Sequence, residues 1–269
     1  MTFRIQQIVD YGTAHPAVAR LTVQMAELMR FYSVASSVQD SVYRTICSEV
    51  LPRLMTCYRT HERISSDVEK VKEQIRSRGL DAQANGRAYT IPSVCNLKAD
   101  SESYLYHAKS ALRDFTIVFN TLFNTTFSRQ ARYGEIVSWA KGKFGDDSPL
   151  ALMLDNDFRG WISPLVRMRN AVEHPGGHSG TLHIHDFRAV ESDGVIILSE
   201  PTWHLNEDTP APLASGMQVF NSNMLTFFEE SLLLCLETFP KPPFIRLIEI
   251  PEHERRPECP CRFEMGLQP

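Results

Sequence analysis

The chain has little cysteine: six residues in 269, spaced irregularly. That is too few for a disulfide framework, and a reducing cytosol is the expected setting. Long apolar runs are missing as well. The longest, near Ser231–Leu236, falls far short of the roughly 18 residues that a membrane span needs. The first residues, MTFRIQQIVDYG, have neither the apolar stretch nor the small-residue cleavage site of a secretory leader. No phosphate-binding G-x-x-x-x-G-K-[ST] loop is present, no G-x-G-x-x-G follows a strand, and no G-x-S-x-G occurs. Nucleotide-driven motors, dinucleotide enzymes and serine hydrolases therefore have no support. Nor is charge of one sign dominant, since the net charge is only −4. It is divided unevenly: 22 basic against 18 acidic residues through position 178, then 6 against 14. The acidic end disfavours phosphate, and the modest positive balance before it does not by itself point to nucleic acid.

What is present is a globular composition, 43% hydrophobic and 22% charged, with enough length for a substantial core. Apolar residues recur every three or four positions from Ala17 to Ser33, and again from Val42 to Tyr58. Pro52 should kink or restart the second of these helices. Residues 66–78 read as a charged, solvated helix end. Residues 79–100 hold Gly79, Gly86 and Pro92 without helical period, which predicts a loop and a boundary. Ser101 or Ser103 can cap a long helix through Leu105, Leu112, Phe115, Phe119 and Phe123, whose wide apolar stripe suits a central bundle position. A shorter helix is expected at 129–142. Ser148 with Pro149 opens another that runs to His174, with Gly160 and Pro164 able to split it.

After Gly180 the apolar period changes from 3.6 to 2. TLHIHDFRAV, the turn SDG and VIILSEPTWHL predict a β-hairpin of arms 181–190 and 195–205. Helix returns over 213–239. The residues FIRLIEI suggest a short strand, and the Pro-, Glu- and Arg-rich tail from Pro251 suggests poor order. This gives a division into an N-terminal helical segment with linker (1–100), a helical bundle carrying the hairpin at about 181–205 (101–239), and a strand with an acidic tail (240–269).

Chemistry concentrates at Arg169-Asn170-Ala171-Val172-Glu173-His174. Asn170 and His174 are four residues apart, about 40° around a helix, and so share a face. Pro175 disfavours helical backbone at His174, which places that imidazole at a frayed C-terminal end. A guanidinium that neutralises phosphate oxygens, an amide that orients and an imidazole that moves protons suit phosphodiester chemistry. The same spacing also permits a plain reading: Arg169 and Glu173 are an i, i+4 ion pair, and His174 closes the helix. A second cluster overlaps the first. His174, His178, His183 and His185 fall within twelve residues, beside Asp186, and His183 and His185 would face one side of a strand. Such a face can be merely polar, or can hold a transition metal. His253 with Cys259-Pro-Cys261 is at most half of a zinc site, with no second pair at matching spacing.

The string MRNAVEH resembles the R-x4–6-H motif of the HEPN superfamily, in which a polar residue, often Asn, follows the Arg. The helix YLYHAKSALRDFTIVFNTLF is similar to the long core helix of those domains, so the resemblance covers roughly residues 101–239. It implies a mainly α, HEPN-like helical bundle with an inserted β-hairpin and an N-terminal helical extension. It further implies a homodimer whose two motifs meet across a groove, with a metal-independent ribonuclease activity and no cofactor. Members act in toxin–antitoxin and antiviral defence systems, which adds RNA as substrate and an antitoxin or other protein as partner. Carried over, Arg169 stabilises the transition-state phosphate, Asn170 assists, and His174 is acid and base while a ribose 2′-OH attacks the adjacent phosphate. The sequence departs from the pattern in Pro175-Gly176-Gly177 directly after His174, in the hairpin, and in the first hundred residues. A non-catalytic HEPN-like interaction protein is the alternative expectation. A metal-dependent hydrolase built on the histidines comes third.

Overall fold

A computed structural model describes residues 11–78, 81–82, 89–128, 132–192 and 195–267. The chain is mainly helical. Helix α1 (Pro16–Val18) runs through a π-helical turn (Ala19–Gln24) into α2 (Met25–Met29). Helix α3 (Ser36–Thr45) passes through a second π-helical turn (Ile46–Val50) into α4 (Leu51–Arg78). The two-residue strands β1 (Asp81–Ala82) and β2 (Tyr89–Thr90) pair antiparallel. Helices α5 (Leu97–Phe123), α6 (Tyr133–Phe144) and α7 (Pro149–Asp157) follow, and a third π-helical turn (Phe158–Ile162) leads into α8 (Ser163–Glu173).

Neither predicted proline break separates two helices. The turn before Pro52 closes with the Leu51 N–H on the Ile46 carbonyl, and the turn before Pro164 closes with the Ser163 N–H on the Phe158 carbonyl. A proline has no N–H and its ring crowds the carbonyl one turn back. Widening that turn to an i→i+5 bond moves the carbonyl aside and lets helical hydrogen bonding resume in the next element.

The start of α5 also differs from expectation. The helix begins at Leu97, after Asn96 at φ 56°, so Ser101 is an interior residue. Its buried hydroxyl donates to the Leu97 carbonyl at 2.7 Å rather than capping. Ser148 does cap α7, accepting from the Ala151 N–H at 3.3 Å, with Pro149 in the first turn.

The hairpin forms as expected. Strands β3 (Leu182–His185), β4 (Arg188–Ser192), β5 (Val195–Ser199) and β6 (Thr202–Leu205) are two arms in one register. Leu182 pairs with Leu205, and Ser192 with Val195, at the same offset throughout. The ladder is interrupted between His185 and Arg188, opposite Glu200 and Pro201, where proline supplies no donor. The turn residues Asp193 and Gly194 lie outside the described residues. Strand β7 (Ala211–Pro212) adds to β6, and α9 (Leu213–Leu236) follows.

The tail is ordered, contrary to its composition. Strand β8 (Ile245–Glu249) pairs antiparallel with β9 (Phe263–Leu267), with a single 3₁₀ turn at Glu252–Glu254 between them. Arg262 holds it in place, donating to Glu249 Oε1 and Glu230 Oε1 at 2.8 Å each, while the Arg262 and Phe263 N–H groups both reach Gln24 Oε1. Charged residues that read as solvating in the sequence are thus paired in the fold.

The described residues belong to two compact units, each assembled from separated stretches, whereas the division at 100 and 239 is sequential. One unit draws on Met1–Met55, Ala108–Ser163 and Ser222–Pro269. Its core is aromatic: Phe115 lies 4.8 Å from Phe228 and 5.8 Å from Phe227, centroid to centroid, and all three are buried. The other unit draws on Thr56–His107 and Pro164–Asn221. There the buried Tyr104 hydroxyl lies 3.0 Å from both the Met217 carbonyl and Asn221 Oδ1, which share its single proton, and its ring lies 6.3 Å from Trp203. Both clusters of candidate functional residues lie in this second unit. Among the described residues, no helix is long and apolar enough to cross a membrane.

Candidate functional site

Helix α8 stops at Glu173 for the reason the sequence offers: Pro175 forces the preceding residue out of the helical region. The His174 N–H still donates to the Asn170 carbonyl at 2.9 Å, and the Gly177 N–H then donates to the His174 carbonyl at 2.9 Å. Gly176 at φ 74° turns the chain, and Gly177 bridges to Gly180, tying a tight loop onto the helix end. A Cβ at Gly177 would approach the His174 carbonyl oxygen to 3.0 Å, so the close turn favours glycine there. His174 is consequently exposed, as expected from its position.

Arg169 is not exposed in the same way. Its side chain is 13% accessible and forms an ion pair with Glu173, which is 44% accessible. The guanidinium carbon lies 5.7 Å from the Tyr106 ring centroid, over its face. The cation–π contact and the ion pair together restrain the guanidinium. Asn170, one residue on, is half-buried. The three residues therefore gather at one helix end, and the i, i+4 ion pair of the plain reading is also formed. A phosphate that reached this guanidinium would have to displace the Glu173 carboxylate.

The histidines are distributed differently from the expectation based on chain proximity. His174 and His178 are exposed and do not join the strand residues. Asp186 is committed to backbone, accepting from the Val94 N–H at 3.0 Å and the Phe187 N–H at 2.7 Å. Instead His204, on β6, completes a trio with His183 and His185 on β3, their ligand nitrogens all within 4.8 Å of one another. His183 pairs directly with His204 across the ladder, and His185 sits two residues along on the same face. The rings of His183 and His204 stack at 4.8 Å, and His185 Nε2 lies 3.2 Å from His204 Nε2. Sequence reasoning passed over His204, although the signal was available. Counting back from a two-residue Asp-Gly turn, Ser192 faces Val195 and His183 faces His204.

In the other unit, Cys259 and Cys261 bring their sulfurs to 3.7 Å. Burial, together with the neighbouring Cys259, pushes the Cys261 thiol up to about 12, which keeps it protonated. Its Sγ lies 3.8 Å from the Ala19 carbonyl, a packing contact. His253 is exposed and faces Glu254 at 3.5 Å.

No family model, no curated protein and no solved structure matches the chain.

Proposed function

We propose that the chain is a HEPN-like ribonuclease acting through the C-terminal end of α8. The observation that supports this reading is the conjunction of the exposed His174 with Asn170 one turn before it and the oriented Arg169 guanidinium at the same helix end. In this reading His174 takes the proton from a ribose 2′-OH and a protonated imidazole returns one to the leaving 5′-oxygen. Arg169 neutralises the equatorial oxygens of the phosphorane once Glu173 has swung away, and Asn170 orients the phosphate. The proposed groups supply charge and proton transfer without a metal. Two copies of the chain would bring two such ends together, with RNA as substrate and a toxin or defence role in the cytosol.

A second reading is supported by the ion pair. Arg169 is nearly buried and already paired with Glu173, which suits a HEPN-like interaction protein in which Arg169 and His174 only tie the helix end to its neighbours. The two separate on paired measurements of His174→Ala: RNA cleavage per folded molecule, and melting temperature. The ribonuclease reading expects cleavage lost with melting nearly unchanged. Cleavage retained in this variant would leave the interaction-protein reading.

A further inference from the structure

We propose that His183, His185 and His204 form a binding site for a transition-metal ion of the zinc class. The trio is independent of the α8 site and of any activity there. Three features carry the assignment. First, the fold itself converges the imidazoles: two come from alternate positions of β3 and one from the directly opposed position of β6, so all three share one face of the ladder. Second, their nitrogens already lie within 4.8 Å of one another. Nitrogens on a tetrahedral Zn²⁺ sit about 3.4 Å apart, given Zn–N bonds of about 2.0–2.1 Å, and ring rotation closes that gap. Third, His204 already has the hydrogen bonding of a metal-ligating histidine. His204 Nδ1 is 2.7 Å from the Asn206 carbonyl, which only accepts, so Nδ1 carries the proton and Nε2 turns a lone pair toward His185.

The chemistry of the donor set selects the ion. Three imidazoles with no carboxylate suit Zn²⁺, Co²⁺, Ni²⁺ or Cu²⁺ and not the hard, oxygen-seeking Mg²⁺ or Ca²⁺. All three side chains are partly exposed, so an ion can enter, and three protein ligands leave a coordination position for water. The ion would join the arms where the ladder is interrupted after His185 and before Thr202. Arg188 has a defined part in this. Its guanidinium donates to His185 Nδ1, which places the His185 proton on Nε2, the atom facing His204. To ligate through Nε2, His185 must move that proton and Arg188 must swing off. Arg188 is exposed and free to do so. It is therefore a brake on the site, and its removal favours the metal-bound form.

The test uses the full chain without a polyhistidine tag, stripped with a chelator and titrated with Zn²⁺ by calorimetry and with Co²⁺ by visible absorption. The expected result is one ion per chain, nitrogen-ligated by X-ray absorption, with a rise in melting temperature. His204→Ala and His185→Ala should each weaken binding at least about tenfold, whereas His178→Ala and His253→Ala should not change it. Arg188→Ala should tighten binding. Should a ligand variant fail to fold, the nitrogen count on the wild type and the Arg188→Ala affinity still decide. The proposal is overturned by absence of stoichiometric binding, by binding that survives His204→Ala, or by sulfur ligation that disappears in Cys259→Ser.

Discussion

The Glu229 carboxylate is wholly buried and accepts from Arg20 Nε at 2.8 Å. The second Arg20 nitrogen reaches its other oxygen, Gln24 Nε2 donates at 2.7 Å, and Arg262 Nη1 stands 3.4 Å away. An ionised carboxylate survives inside a protein only when its lone pairs are met in this way. The bond also ties α9 to the turn between α1 and α2 and to the ordered tail. Removing one partner strands the other. Arg20→Met and Glu229→Leu should each cost about 3–5 kcal/mol on their own. Arg20→Met with Glu229→Leu, which removes both charges and keeps volume, should recover much of that loss. Urea denaturation of the two singles and the double forms the cycle. A double variant as unstable as the sum of the singles would show that the carboxylate does not depend on Arg20.

Gly180 and Asn206 fix the base of the hairpin. Both have left-handed backbone, at φ 82° and 51°. The Thr181 N–H donates to Asn206 Oδ1 at 2.8 Å and the Asn206 N–H donates to the Thr181 carbonyl at 2.9 Å. A Cβ on Gly180 would fall 1.9 Å from Asn206 Oδ1. Gly180→Ala should therefore destabilise by about 1–3 kcal/mol, from left-handed strain and the displaced amide together. Gly142→Ala, in α6 with open space around it, should instead stabilise by up to about 1 kcal/mol. Chemical denaturation of both variants checks the opposite signs.

Periodicity carried the sequence reading where one face of an element is buried. The stripe through Leu105, Leu112, Phe115 and Phe119 was legible, and all four are buried in α5. So was the hairpin, because a two-residue period cannot be mistaken for a helical one over ten residues. What periodicity cannot show is backbone adaptation. Pro52 and Pro164 are breakers by local rule, and a π-helical turn absorbs each of them. Pairing between distant charges is equally hidden: the tail's Arg262 reads as solvated until Glu229, Glu230 and Glu249 surround it. In the α8 motif, spacing gave the helix end and the exposure of His174. The Tyr106 ring beside the Arg169 guanidinium comes from sixty-three residues earlier, a contact that no local pattern encodes.

Asp157 gives a pH dependence of definite sign. Burial raises its carboxyl above the usual range, Trp161 Nε1–H at 2.6 Å partly offsets this, and the Glu230 charge adds to the rise. Below the unfolded value of about 3.9 the group is protonated in both states and costs nothing. Between that value and the higher folded one, the unfolded chain gives up its proton while the native chain keeps it, so stability falls with rising pH and levels off above the folded value. Asp157→Asn keeps the acceptor for Trp161 and removes the charge. It should raise the melting temperature at neutral pH, and the gain should shrink to nothing near pH 3. A gain that is constant with pH, or a loss at neutral pH, would contradict this.

The ion pair between Arg169 and Glu173 supplies the most discriminating experiment on the α8 end. Arginine before glutamate is the less favoured order for an i, i+4 pair, and such pairs contribute only about 0.3–0.5 kcal/mol. Glu173→Gln should therefore leave stability almost unchanged in either reading. Its effect on RNA should differ. If Arg169 binds phosphate, Glu173 competes with the substrate, and the Gln variant should bind and cleave RNA better at low substrate concentration. Arg169→Lys keeps the charge but loses the planar fork and the stack on Tyr106, so it should impair cleavage well beyond its effect on melting. His174→Ala should reduce the rate by about 10²–10⁴-fold, as loss of a positioned acid and base does. None of these effects should change when EDTA is present, because the proposed groups act without a metal. The three variants together form a pattern, up for Glu173→Gln and down for Arg169→Lys and His174→Ala, that a purely structural ion pair cannot produce. Three unchanged RNA-cleavage rates with intact folding would remove the ribonuclease assignment from this helix end.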